Sequence, residues 1–95
     1  MTNKRFAWDN AKFHANLKKH NISFEEAATV FDDDSALFFD DESHSQDEDR
    51  FIIIGYSNRE RMLMVCHCYR DDNQVIRIIS ARKANRTEQQ LYGGH

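Results

Sequence analysis

The sequence predicts an α+β fold in the order β-α-α-β-β-β-β-α, with two helices packed on one face of a mainly antiparallel sheet and a short C-terminal helix. Two observations predict it. Apolar residues recur at helical spacing up to Phe31, then fall into short aromatic and β-branched runs from Ala36 onward. Those later runs are joined by tight polar turns, Asn58-Arg59-Glu60 and Asp71-Asp72-Asn73, which pair sequential strands as an antiparallel meander. Two helices on one face of such a sheet make an α+β sandwich. At 95 residues the chain reads as a single domain, residues 1–95, with one core.

Phe6-Ala7-Trp8 is a short first strand, and Asp9 fits the N-cap of a helix over Asn10–His20. In that helix Phe13 and Leu17 form the buried stripe, while Lys12, Asn16, Lys19 and His20 share a polar face. Asn21 ends it in the left-handed conformation. Ser23 with Glu26 is a capping box for a second helix, whose Phe24, Ala27, Ala28 and Phe31 follow the i, i+3, i+4, i+7 pattern. Asp32-Asp33-Asp34-Ser35 ends that helix. Ala36–Asp40 is a short aromatic strand and Asp41–Asp49 an acidic loop. Phe51–Ser57, Arg61–Tyr69 and Val75–Ala81 are the remaining strands, with Gly55 a candidate bulge. Asn85 and Glu88 form a second candidate capping box, for the last helix.

The composition, 40% hydrophobic and 31% charged, is that of a soluble globular chain. Three glycines and no proline exclude collagen-like and linker-like readings. No apolar run approaches the ~18 residues of a membrane span, and Met1–Asp9 has no signal-peptide core, so the expected compartment is the cytoplasm. Cys66 and Cys68, two apart on a strand, read as reduced thiols. The net charge of −3 is strongly segregated: residues 1–31 carry +2, residues 32–49 carry −9 and residues 50–95 carry +4. The basic C-terminal half suits phosphate, whereas the acidic middle repels it.

If the last hairpin folds about Asp72, His67 lies opposite Arg77, on one face with Val65, Tyr69, Val75 and Ile79. A one-residue slip would undo that pairing. Two readings stand for His67: a core histidine hydrogen-bonded to a neighbour, or a proton-transfer group. Arg77, inside Val-Ile-Arg-Ile-Ile, requires an anion, from a side chain, a partner or a phosphate. Arg82, Lys83 and Arg86, with Arg70, make a basic rim that reads either as solvated surface or as a phosphate site. A metal site at Cys66-His67-Cys68 is disfavoured, because His67 points away from both thiols in a strand. The acidic stretch with Asp40, Asp41, His44, Asp47 and Glu48 matches no cation-binding loop.

These residues bring the chain close to a known family. Phe6-Ala7-Trp8-Asp9, then Lys12, Asn16, Lys19-His20 and Ser23-Phe24-Glu25-Glu26-Ala27, resembles the opening of BrnT-type toxins. His44-Ser45, Glu48, Arg50, Ile54-Gly55-Tyr56-Ser57 and Arg61-Met62-Leu63 leading to His67 and Arg70 are similar to the same family. Its most specific signature is Ile76-Arg77-Ile78-Ile79-Ser80-Ala81-Arg82-Lys83-Ala84 with Glu88 and Tyr92. Asn21 departs from the family's usual glycine, Cys66 and Cys68 flank the histidine, and the tail Gly93-Gly94-His95 matches nothing.

The resemblance implies a RelE-like fold and a type II toxin: a metal-independent endoribonuclease, or mRNA interferase, needing no cofactor. In it the RNA 2′-hydroxyl attacks the adjacent phosphorus. The expected catalytic set is His67, Arg77, Arg82, Lys83 and Tyr92, with no metal. His20 is a second candidate for the proton-donor role given to Tyr92. Expected RNA contacts are Arg70, Tyr69, Lys12, Lys19 and His20. The implied partner is a BrnA-type ribbon-helix-helix antitoxin, as a dimer or heterotetramer with it, meeting DNA only through the antitoxin and no membrane. The alternative is a catalytically inactive toxin homologue that binds the antitoxin and regulates the operon, a reading to which the net acidity points. A thiol or metal protein built on Cys66, His67 and Cys68 is the third.

Overall fold

The computed structural model describes residues 4–41 and 49–93. The candidate chelators His44, Asp47 and Glu48, and the tail residues Gly94 and His95, lie outside the described residues. Five strands make one sheet: β1 (Arg5–Ala7), β2 (Leu37–Asp40), β3 (Phe51–Tyr56), β4 (Met62–Arg70) and β5 (Val75–Lys83), in the order β1-β5-β4-β3-β2. β1 runs parallel to β5, and all other neighbours are antiparallel. The helices are α1 (Asn10–His20), α2 (Phe24–Thr29), continued by one 3-10 turn over Val30–Asp32, and α3 (Arg86–Gly93). Ile22, Phe24, Ala27, Val30 and Phe31 pack on Ile53, Leu63, Val65, Ile76, Ile78 and Ala81. α1 and α2 therefore cover one face of the sheet and leave the other open.

The expected caps form. Asp9 accepts the Lys12 N–H at 3.0 Å, and Asn21 closes α1 at φ 58°. Ser23 accepts the Glu26 N–H at 3.0 Å, but the Glu26 side chain does not complete the box. It is buried and spent elsewhere, receiving a bidentate contact from Arg61 and a 2.7 Å hydrogen bond from the Ser57 hydroxyl. This network ties α2 to the β3–β4 turn. Asn85 and Glu88 form the full reciprocal box, at 2.8 and 2.9 Å.

Three expectations are corrected. On α1, Leu17 is 38% exposed and Asn16 is buried. The inner side of α1 carries a polar residue because β1 stops at Ala7, opposite Arg77, so the outer edge of β5 lacks a strand partner further on. Asn16 acts as a surrogate strand there: its amide donates to the carbonyls of Ala81 (2.9 Å) and Ile22 (3.1 Å) and accepts the Ala81 N–H (3.0 Å). Gly55 marks no bulge, since β3 pairs with β4 in unbroken register. Its constraint is close approach: a Cβ there would lie 2.9 Å from Asp33 Oδ2 and 3.0 Å from the Ala36 Cβ.

The third correction concerns the hairpin. Asp71, Asp72 and Asn73 all have positive φ, at 53°, 54° and 70°, and Arg70 pairs with Val75 across a four-residue loop. Asp and Asn tolerate that conformation better than other side-chain-bearing residues. The hairpin axis therefore falls between Asp72 and Asn73 rather than on Asp72, so His67 opposes Ile78 and Cys68 opposes Arg77. Beyond Cys66 a bulge inserts Ile79, and Cys66 pairs with Ser80. Replacing Asn16 with alanine strands both polar groups of Ala81 in the interior, so stability should fall by roughly 2–4 kcal/mol in urea unfolding. An unchanged midpoint would show that the Asn16 clamp is dispensable.

Candidate active site

The register decides which side chains share the open face. Residues opposed in an antiparallel pair project to the same side. Met64 with Arg82, Cys66 with Ser80, and Cys68 with Arg77 therefore share the face away from α1 and α2. Arg77 and Arg82 are five positions apart, and in a regular strand they would point to opposite sides. The extra residue Ile79 shifts the alternation by one, so both arginines project from the open face while Ile76, Ile78 and Ala81 all enter the core.

Arg77 is half-buried, and among the described residues no carboxylate pairs with it. Arg82 differs. It makes a bidentate pair with Glu88 of α3, at 2.9 Å for each hydrogen bond, and donates to the Lys83 carbonyl at 3.1 Å. Arg82 hydrogen bonds are the main reason the Glu88 carboxyl sits below its ordinary value; burial opposes them. The pair fastens the first turn of α3 beside β5. Tyr92 fastens its other end: its ring stands edge-on to Tyr56 at 5.3 Å and its hydroxyl donates to Asp33 at 2.8 Å. Burial and the Asp33 contact raise the Tyr92 pKa, which makes it a poor proton donor as it stands. Burial would raise the Asp33 carboxyl too, but hydrogen bonds from the Tyr56 and Ser35 N–H groups and from Tyr92 hold it below its usual value.

Between α3 and the sheet end lies a cleft of about 340 Å³, lined by Tyr56, Arg61, Met62, Lys83, Ala84 and Gln89. Lys83 is exposed there and Tyr56 is 45% exposed. Sequence reasoning gave no role to Tyr56, Arg61 or Gln89. The signal for Tyr56 was a polar aromatic closing an apolar strand; Gln89 offered none before α3 was placed over the sheet.

His67 is not in this site. It is fully buried on the helix-covered side, ringed by Phe31, Tyr69, Phe51 and Phe38 at centroid distances of 4.8, 5.4, 6.1 and 6.4 Å. Nδ1 lies 3.4 Å from the Val65 carbonyl, and Nε2 has no hydrogen-bond partner among the described residues. Burial lowers its pKa to about 4. The expected pairing with Arg77 is thus replaced by a core histidine, one register step away. Tyr69 shares its side and packs on Phe51 at 5.5 Å. Lys12, Lys19 and His20 lie on α1, on the helix-covered side, flanking the buried Asn16. Arg70 projects from the open face at the far end of β4, paired in register with Val75. Cys66 and Cys68 are buried free thiols on the face opposite His67, and burial with Asp41 nearby pushes Cys66 up to about 11. Among the described residues no cluster of His, Cys, Asp and Glu could hold a metal ion.

One sheet, two helices on a single face, and a cationic open face crossed by a C-terminal helix define a small α+β domain of the RelE-like class. The family model described as "Ribonuclease toxin, BrnT, of type II toxin-antitoxin system" matches residues 8–88, and the chain belongs to that family. The fold is similar to the crystal structure of the Brucella abortus ribonuclease toxin BrnT, with a TM-score of 0.66 and 23% identity, covering 88% of this chain and 100% of that one. Comparison with curated proteins finds no match. Family membership makes the chain a type II toxin component with an antitoxin as its partner.

The burial of His67 generates a pH prediction. The unfolded chain protonates this imidazole near 6.5 and the folded chain only near 4. The unfolded state therefore binds more protons in that window, and stability falls as pH drops from 6.5 to 4, by roughly 3 kcal/mol from this group. His67→Phe should remove that part of the acid sensitivity and keep its melting temperature at pH 7. An acid profile identical to the parent's would refute the assignment.

Proposed function

We propose that the chain is an endoribonuclease of the cytoplasm that cleaves RNA without a metal and is neutralised by a BrnA-type antitoxin. The observation that carries this is Arg77: a guanidinium at mid-strand on the open face, without a carboxylate partner among the described residues. A charge held among apolar residues at a desolvation cost, and not neutralised from within, suits an anionic ligand. RNA supplies its own nucleophile. The 2′-hydroxyl attacks the adjacent phosphorus, the P–O5′ bond breaks, and the 5′-oxygen leaves with a proton. Arg77 and Lys83 bind phosphate oxygens and stabilise charge that develops in the transition state.

Arg77 and Arg82 lie roughly 15 Å apart along β5 by strand rise, so the two serve different phosphates. Arg82 is already bridged to Glu88 and acts by holding α3 over the cleft. Proton transfer in this reading falls to Tyr56, which lines the cleft, rather than to the buried His67. Tyr92 supports Tyr56 through ring contact. The path from Arg77 to Lys83 gives the RNA strand its track, with Arg70 extending it.

A second reading, an inactive toxin homologue retained for antitoxin binding, has one specific support: Glu88 neutralises Arg82 and Glu26 neutralises Arg61. The two readings separate in one experiment. Purified protein should cleave RNA in EDTA, leaving 2′,3′-cyclic phosphate ends, and Arg77→Ala should lower the rate by roughly 10²–10³ with its melting temperature unchanged or raised. Tyr56→Phe should also slow cleavage, whereas His67→Phe should not. No cleavage by the parent chain, with tight antitoxin binding retained, would favour the inactive module. A fully active Arg77→Ala would remove Arg77 from the site.

A further inference from the structure

The outer edge of the sheet at β2 has no partner among the described residues. An edge strand presents a row of backbone N–H and C=O groups that pair readily with another chain, and native edges are usually guarded by charge, proline or a bulge. β2 has neither proline nor bulge. Its residues are Leu37, Phe38, Phe39 and Asp40, with Phe38 59% and Phe39 39% exposed. Successive strand residues point to opposite faces, so β2 offers an exposed aromatic on each side of the sheet. Around these rings the charge has one sign: residues 32–41 contain five aspartates and no lysine or arginine. Asp34 and Asp40 are exposed.

We propose that β2 is a docking edge for an extended, cationic segment of a partner polypeptide, which adds a sixth strand. Main-chain hydrogen bonds supply the pairing, alternate apolar side chains cover Phe38 and Phe39, and lysines or arginines meet Asp34 and Asp40. A second copy of this chain is a poor occupant, since edge-to-edge pairing of two β2 strands brings two acidic segments together. This deepens the reading of an antitoxin-bound toxin by naming the surface and the chemistry of the bound segment. It does not depend on RNA cleavage, because the edge lies at the opposite side of the sheet from β5 and Arg77.

The probe is a synthetic peptide alternating lysine with valine and threonine, titrated into the full chain. Its controls are the same peptide with glutamate for lysine and a proline-interrupted version. The lysine peptide should bind, more weakly at high salt, and slow amide exchange in β2. Asp40→Lys should weaken it about tenfold, the loss of ~1.4 kcal/mol. Phe38→Lys should abolish it while RNA cleavage stays at the parent level. Equal binding of the glutamate peptide, binding that leaves β2 exchange unchanged, no binding, or a β2-protected dimer of the chain alone would each overturn the proposal. If the parent chain binds the peptide and cleaves no RNA, the docking edge stands and the ribonuclease reading falls.

Discussion

One inserted residue sets the character of both sheet faces. Without Ile79 as an extra position in β5, a strand alternating strictly would send Arg77 and Arg82 to opposite sides. Either the core would take a guanidinium or the open face would lose one. The bulge lets Ile76, Ile78 and Ala81 enter the core and Arg77, Ser80 and Arg82 project outward. It cooperates with three left-handed residues at Asp71, Asp72 and Asn73, which place the hairpin axis. A short polar turn and a single irregularity thus assign a whole strand pair to its two environments.

The helices hold that arrangement through polar locks rather than apolar contact alone. Asn16 satisfies both main-chain groups of Ala81, just past the bulge and beyond the end of β1. Glu26 fastens α2 to the β3–β4 turn through Arg61 and Ser57, and the Arg61 hydrogen bonds lead the effects that hold its carboxyl below the usual range. Asp33 gathers the Tyr56 N–H and the Tyr92 hydroxyl, and Gly55 leaves it room. Each of these carboxylates is saturated by donors. The same economy separates the arginines: Arg61 and Arg82 are structural clamps, whereas Arg77 has no such carboxylate among the described residues. A basic residue's place in the chain does not say which of these it is; its partner does.

His67 shows the cost of reading a site from register alone. An imidazole two residues from a tyrosine, in a strand facing an arginine strand, fits a ribonuclease as easily as a core. Its aromatic surround of Phe31, Phe38, Phe51 and Tyr69 comes from four separate elements, and no local pattern announces it. The neighbouring thiols fared better, because alternation in a strand already places His67 on the side away from Cys66 and Cys68.

The sequence by itself determined the element order, the caps at Asp9, Asn21, Ser23 and Asn85, the helix pattern of Phe24, Ala27, Ala28 and Phe31, and the family. These are short-range matters: periodicity, capping chemistry and turn residues act within a few positions of one another. Only the tertiary structure decided that Asn16 is buried and Leu17 exposed, that His67 belongs to the core, that Arg82 is spent on Glu88, and that Tyr56 lines the cleft with Lys83. Those outcomes depend on pairing between distant segments, where a shift of one residue exchanges the faces of a strand. Nothing local to β4 or β5 encodes that shift strongly enough to read before the sheet is assembled.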